Sequence, residues 1–187
     1  MFALCYAIHM NPELPTENIP QPAVASELEQ MVAIDQEMRE QSEVADEIWD
    51  NNIDVQNTTR MKEIVGAIGW PTISMVGREG AENAWLLVQH ADLDVDFQAQ
   101  CLHLMKEAPE NEVNKINIAY LEDRVRVNQG KGQLYGTQFT QKNNQHLPRE
   151  IEDMEHIDAR REVMGMGPLQ EQIDLMYQKY PLTDSSE

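Results

Sequence analysis

The chain has 187 residues, 33 of them acidic and 14 basic, for a formal charge of −19. That length suits one domain with a substantial core, and a field of that sign repels nucleic-acid phosphates and anionic lipid, so neither is expected as a partner. Cys5 and Cys101 are too few for a disulfide framework and form no CxxC pair, which argues for a reducing, cytoplasmic setting and against a structural zinc site.

The opening MFALCYAIHMNPELP has an apolar stretch but no basic start, and it is too short to span a bilayer. Prolines recur through NPELPTENIPQPA, so residues 1–23 read as an extended leader, 24–180 as the folded domain and 181–187 as a polar tail. A first helix is expected from Ser26, its N-cap, with Leu28, Met31, Val32, Ile34 and Met38 on the inner face. Asp35 and Arg39 are spaced for an i,i+4 ion pair.

A second helix spans about 43 to 68, with a break near Asn51 and Asn52, and its inner face carries Val44, Ile48, Ile53, Met61, Ile64, Val65 and Ile68. Gly69 stops it and Pro71 keeps it stopped. The loop TISMVGREG precedes a third helix, about 79 to 90. Asp94 or Asp96 caps a fourth that runs to about Ala108, with Cys101 in its apolar phase as a core residue rather than a nucleophile. A fifth covers 114–128 through Ile116, Ile118, Leu121, Val125 and Val127.

After Gly130 and Gly132 the pattern changes. QLYGTQFT and QHLPREI, joined by the polar KNN tract, predict a hairpin in which Gln133, Tyr135 and Thr137 share one face, Gly136 allows close backbone approach and Pro148 confines its strand to an edge. Helical segments follow at about 153–164 and 169–179. The expected fold class is therefore mainly α: a bundle-like single domain of about six or seven helices with one small β-hairpin, the 11 methionines filling its core.

Functional side chains concentrate where the Trp85–Val88 apolar run meets Gln89, His90, Asp92 and Asp94. A neutral imidazole at a helix end can act as a general base, with Asp92 or Asp94 orienting it; capping of the two helix ends is the structural alternative. The same three residues are candidate metal ligands, but HADLD has neither zinc-helix nor EF-hand spacing, and no metal or other cofactor is assigned. Arg60, Arg124, Arg160 and Arg161 are candidates for carboxylate or phosphate recognition, or for internal salt bridges. Gln89, Arg124, Tyr135, Thr137 and Gln138 are the expected substrate contacts.

Taken in order, GWPTISMVG, AWLLVQHADLDVDFQAQCL, NIAYLEDRV, QLYGTQF and PREIEDMEHIDARREVMG resemble a bacterial family catalogued as domain of unknown function 6624, over roughly residues 28 to 170. The resemblance implies that Trp70, Gln89, His90, Asp92, Asp94, Arg124, Tyr135, Gly136, Thr137 and Gln138 are motif positions. It implies no reaction. The residues themselves suggest a small-molecule enzyme of hydrolytic or acid/base type, with His90, Asp92 and Asp94 catalytic. The alternatives are an acidic immunity- or inhibitor-type protein with a basic partner, and a non-catalytic module that binds a small metabolite.

Overall fold

Helix formation follows the apolar spacing through most of the chain, and each helix end has a local cause. The computed structural model describes residues 20–45 and 52–181; the leader up to residue 19, Cys5, Ile48, the proposed break at Asn51 and the tail beyond 181 lie outside them. Seven helices are present among the described residues: α1 (Pro22–Ala45), α2 (Asn52–Ile68), α3 (Ile73–Gln89), α4 (Val95–Glu107), α5 (Lys115–Asn128), α6 (Ile157–Val163) and α7 (Leu169–Lys179). The only strands there, β1 (Phe139–Lys142) and β2 (Gln145–Pro148), pair antiparallel. The domain is mainly α, as the spacing predicts.

α1 starts before Ser26. Pro22 takes the first helical position, where its fixed φ and missing N–H do no harm, and the Gln21 N–H donates to the Met75 carbonyl at 3.0 Å. Ser26 is thus inside the helix and caps nothing. On the inner face Leu28 is fully buried, but Ile34 is 52% exposed and its neighbour Asp35 is completely buried. α2 ends at Ile68, with Gly69 in the left-handed region at φ 75°.

α3 begins at Ile73 rather than near Glu79, because one helical turn forms before Gly77 breaks the backbone at φ 78°, ψ 167°. α4 and α5 have side-chain caps: Asp94 accepts from the Phe97 N–H at 3.0 Å and Asn114 from the Ile116 N–H at 3.0 Å. The core gathers Met61, Ile64, Trp70, Trp85, Leu87, Phe97, Met105 and Leu121 from α2 to α5 and the turn after α2. Cys101 is buried there, and burial, with the Asp94 charge, pushes its thiol up to about 12, so it is an inert core residue.

The hairpin turns on Asn143 and Asn144, both with positive φ as a two-residue type I′ turn requires. β1 starts later than QLYGTQFT suggests. Residues 133–138 do not alternate as a strand; they wrap around the buried Asp123 of α5. That carboxylate accepts from the N–H groups of Leu134 (2.7 Å), Tyr135 (3.1 Å) and Thr137 (3.0 Å) and from the Thr137 hydroxyl (2.9 Å). Burial raises the pKa of Asp123 against these bonds. Gly136 lies inside the wrap at φ 70°, where a Cβ would meet Leu169 Cδ1 at 2.6 Å and Ile157 Cδ1 at 3.1 Å, so only glycine lets α6 and α7 close over this loop. β2 is held from the other side: His146 packs edge-on to Tyr177, and its Nε2–H donates to the Tyr180 carbonyl at 2.7 Å.

Candidate functional site

A cavity of about 690 Å³ opens between the C-terminal half of α3, α5 and the hairpin. That volume falls in the range of small-molecule sites. α3 contributes Trp85, Gln89 and, just past its end, His90; α5 contributes Tyr120, Arg124, Val127 and Asn128. The Asp123 loop and β1 bring Thr137 to Gln141, and Arg149 follows β2. Trp85 and Tyr120 meet edge to face, with ring centroids 6.1 Å apart, and form its apolar wall.

The end of α3 is secured from two sides. Gln98 of α4, completely buried, donates through Nε2 to the carbonyls of Val88 (3.1 Å) and Gln89 (3.3 Å) in the last turn of the helix, where Val88 also accepts from the Ala91 N–H at 3.1 Å. Asp92 accepts from Arg124 Nη1 at 3.2 Å and from Asn128 Nδ2 at 2.8 Å, fastening the turn after α3 to α5. Burial lowers the pKa of Arg124, and the charge of Asp92 opposes that.

His90 is buried at this end, its Nδ1 2.9 Å from Asp35 Oδ2 of α1. Asp35 also accepts from Gln36 Nε2 at 2.7 Å and from Arg39 at 3.1 and 3.2 Å, and Arg39 reaches on to Asp54 of α2 at 2.7 Å. Burial alone disfavours the Asp35 charge, yet His90 and Arg39 outweigh it and hold the carboxyl at about 2. For His90 burial is the strongest influence and lowers the imidazole pKa despite Asp35, with Arg39 and Arg124 acting in the same direction as burial. The ring is therefore neutral at pH 7. An ionised carboxylate can only accept, so Nδ1 carries the hydrogen and Nε2 the lone pair. No protein group among the described residues bonds Nε2.

Five of the sequence-predicted site residues, Gln89, His90, Arg124, Thr137 and Gln138, line the cavity together. Asp92 stands behind Arg124 and does not touch the imidazole; Asp94 caps α4 and pairs with Lys62. Neither orients His90, because the turn after α3 carries both carboxylates away from Nδ1 while α1 presents Asp35 to it. Tyr135 lies outside the cavity lining, its hydroxyl 3.4 Å from Glu122 Oε2, because residues 133–138 follow the Asp123 wrap rather than a strand. Arg60 pairs with Glu27 and Glu63, Arg160 with Asp153, and Arg161 donates to the carbonyls of Tyr135 and Gly167. These three serve the fold. Among the described residues no three His, Cys, Asp or Glu side chains group as a metal site.

Sequence reasoning missed Asp35 as a partner of His90, Gln98 and Asn128 as supports, and Arg149 as a lining residue. Asp35 had a signal: it stands seven residues after Leu28, on the stripe that faces the core. Three buried polar atoms, Trp85 Nε1, Gln89 Oε1 and Arg124 Nε, lack a protein partner, and all belong to residues of the cavity wall. Unpaired buried polar atoms are uncommon in folded proteins, and what satisfies such atoms is an ordered water or a ligand.

No helix among the described residues is long and apolar enough to cross a membrane. A family model described as a family of unknown function (DUF6624) matches residues 22–184. No curated protein and no solved structure matches the chain.

Proposed function

Because the chain belongs to the DUF6624 family, whose description assigns no activity, we propose from the cavity itself that it is a small-molecule enzyme of hydrolytic or general acid/base type. The observation that carries this reading is the Asp35–His90 pair, which leaves a neutral Nε2 without a protein partner at a polar cavity. In this role Asp35 holds the tautomer and steadies the imidazolium as Nε2 takes a proton from water or from a substrate hydroxyl. Arg124 and Gln138 bind the substrate's polar groups, and the Trp85 and Tyr120 rings cover its apolar part. Asp92 positions Arg124. The cysteine usage supports a cytoplasmic setting for this chemistry.

The same unpaired atoms also favour a second reading, a module that binds a small metabolite without turning it over. A panel of small esters, lactones, amides and phosphoesters separates the two when assayed with the wild type and with His90→Gln. The enzyme reading expects turnover of at least one class, reduced about 10²- to 10⁴-fold in the variant with the far-ultraviolet circular dichroism unchanged. Binding without turnover, or turnover indifferent to His90, overturns it.

A further inference from the structure

We propose that the molecule this cavity takes carries an anionic oxygen group, a carboxylate or a phosphate, held between Arg124 and Arg149. The inference rests on reading the cavity as the functional site, but not on any chemistry at His90.

Charge is unevenly placed in this molecule. In a chain with 33 acidic and 14 basic residues, the cavity wall contains two arginines and no aspartate or glutamate. The charged side chains of the cavity wall are thus all basic, the reverse of what the composition would scatter there.

The two guanidinium groups keep bonding capacity that the chain does not use. Arg124 is 9% exposed, and its Nη1 is bonded to Asp92 while its Nε has no partner. Arg149 is exposed and takes part in no ion pair among the described residues. Its backbone is nevertheless fixed, because its N–H donates to the Gln138 carbonyl at 2.8 Å and its carbonyl accepts from Gln133 Nε2 at 2.9 Å. The charges of Arg149 and Arg39 both bear unfavourably on Arg124, and Asp92 is the carboxylate that opposes them. Two like charges facing one cavity call for a counter-charge between them, and a guanidinium fork matches the paired oxygens of a carboxylate or phosphate.

The rest of the lining bears on what the anionic group is attached to. Gln89, a lining residue, carries an amide oxygen with no protein partner, an acceptor suited to a ligand hydroxyl or N–H. The cavity at about 690 Å³ has room for a body beyond the anionic group. The ligand class is thus a small hydroxylated or amino-bearing organic acid or phosphate ester.

The test is calorimetric titration of the full chain with inorganic phosphate, succinate and succinamide, on the wild type, Arg149→Gln, His90→Gln and Arg78→Gln. Arg78 is exposed and away from the cavity, so its variant loses the same charge without touching the site. We expect saturable binding of phosphate, succinate or both, weakened about tenfold or more in Arg149→Gln and unchanged in Arg78→Gln, with succinamide not bound. Preference between phosphate and succinate tells which anion the site takes. No saturable binding of either anion, equal binding by Arg149→Gln and wild type, or equal binding of succinamide overturns the proposal. His90→Gln separates the two readings. Anion binding alongside turnover indifferent to His90 removes only the acid/base role, whereas His90-dependent turnover without anion binding removes only this inference.

Discussion

Asp35→Ala is expected to destabilise the fold by about 3–5 kcal/mol, the range for removing one partner of a buried charge network. Asp35 is completely buried and is the shared acceptor for His90 Nδ1, Gln36 Nε2 and the Nε and Nη2 of Arg39. Its loss removes two bonds from Arg39 and leaves an imidazole with no acceptor for its Nδ1–H. Urea unfolding monitored by tryptophan fluorescence measures the change. A loss under about 1 kcal/mol, the level of a surface pair, would show that the network does not hold α1 to the end of α3.

The same carboxylate governs part of the acid response. Its pKa is depressed from 3.8 to about 2, so its contribution is fully present above about pH 4 and is lost as pH falls towards 2. That depression corresponds to stability on the order of 2 kcal/mol. His90, also depressed from its ordinary 6.5, adds a loss that begins as pH drops below that value, since the unfolded imidazole takes a proton the buried ring refuses. Asp123 acts in the opposite sense. Its pKa is raised by burial, so its contribution is greatest in acid and falls as pH rises through the folded value. In Asp35→Asn the component between about pH 4 and 2 should vanish, so the stability gap to wild type narrows over that interval. A gap independent of pH there would contradict this account of Asp35.

Asp123→Ala is expected to be comparably severe, about 3–5 kcal/mol, through a different mechanism. It strips the acceptor from three backbone N–H groups and one hydroxyl in the 134–137 loop, and unsatisfied buried donors cost about 1–3 kcal/mol each. Water entering the loosened loop recovers part of that cost. Because this loop places Thr137 and Gln138 on the cavity wall, the variant should lose ligand binding along with stability. Amide hydrogen exchange makes the claim specific: Leu134, Tyr135 and Thr137 should lose protection, while amides of α4 keep theirs relative to global stability. Uniform loss across the domain would mean that Asp123 only supports the core.

The parts of the fold legible in the sequence are those decided locally. α5 and α7 follow apolar spacing, Asp94 caps α4, Gly69 ends α2, and the Asn143–Asn144 turn sets the hairpin. Errors arise where a distant group overrides a local pattern. Residues 133–138 look like the first half of an alternating strand, but one buried carboxylate on α5 offers their N–H groups a better set of acceptors. Ile34 looks like an inner-face residue, yet the face is turned by one position so that Asp35 can meet His90 and Arg39.

The candidate site divides the same way. Gln89 and His90 are legible as polar residues at the end of an apolar helix, and Arg124 as a cation on a helix with a buried face. Their convergence with Thr137 and Gln138 is a long-range fact that no periodicity specifies. Asp35 was readable only as an i,i+4 partner of Arg39, because its second and more consequential partner is 55 positions away. Arg149 has no local signature beyond following a proline.

The central claim, that Asp35 presents His90 to the cavity as a neutral base, is tested most directly by the ring nitrogens of His90 in nitrogen-15 NMR across a pH titration. The account predicts a protonated Nδ1 and an unprotonated Nε2 at pH 7, with the ring titrating below its ordinary 6.5. A ring charged at pH 7, or one carrying its single hydrogen on Nε2, would contradict it.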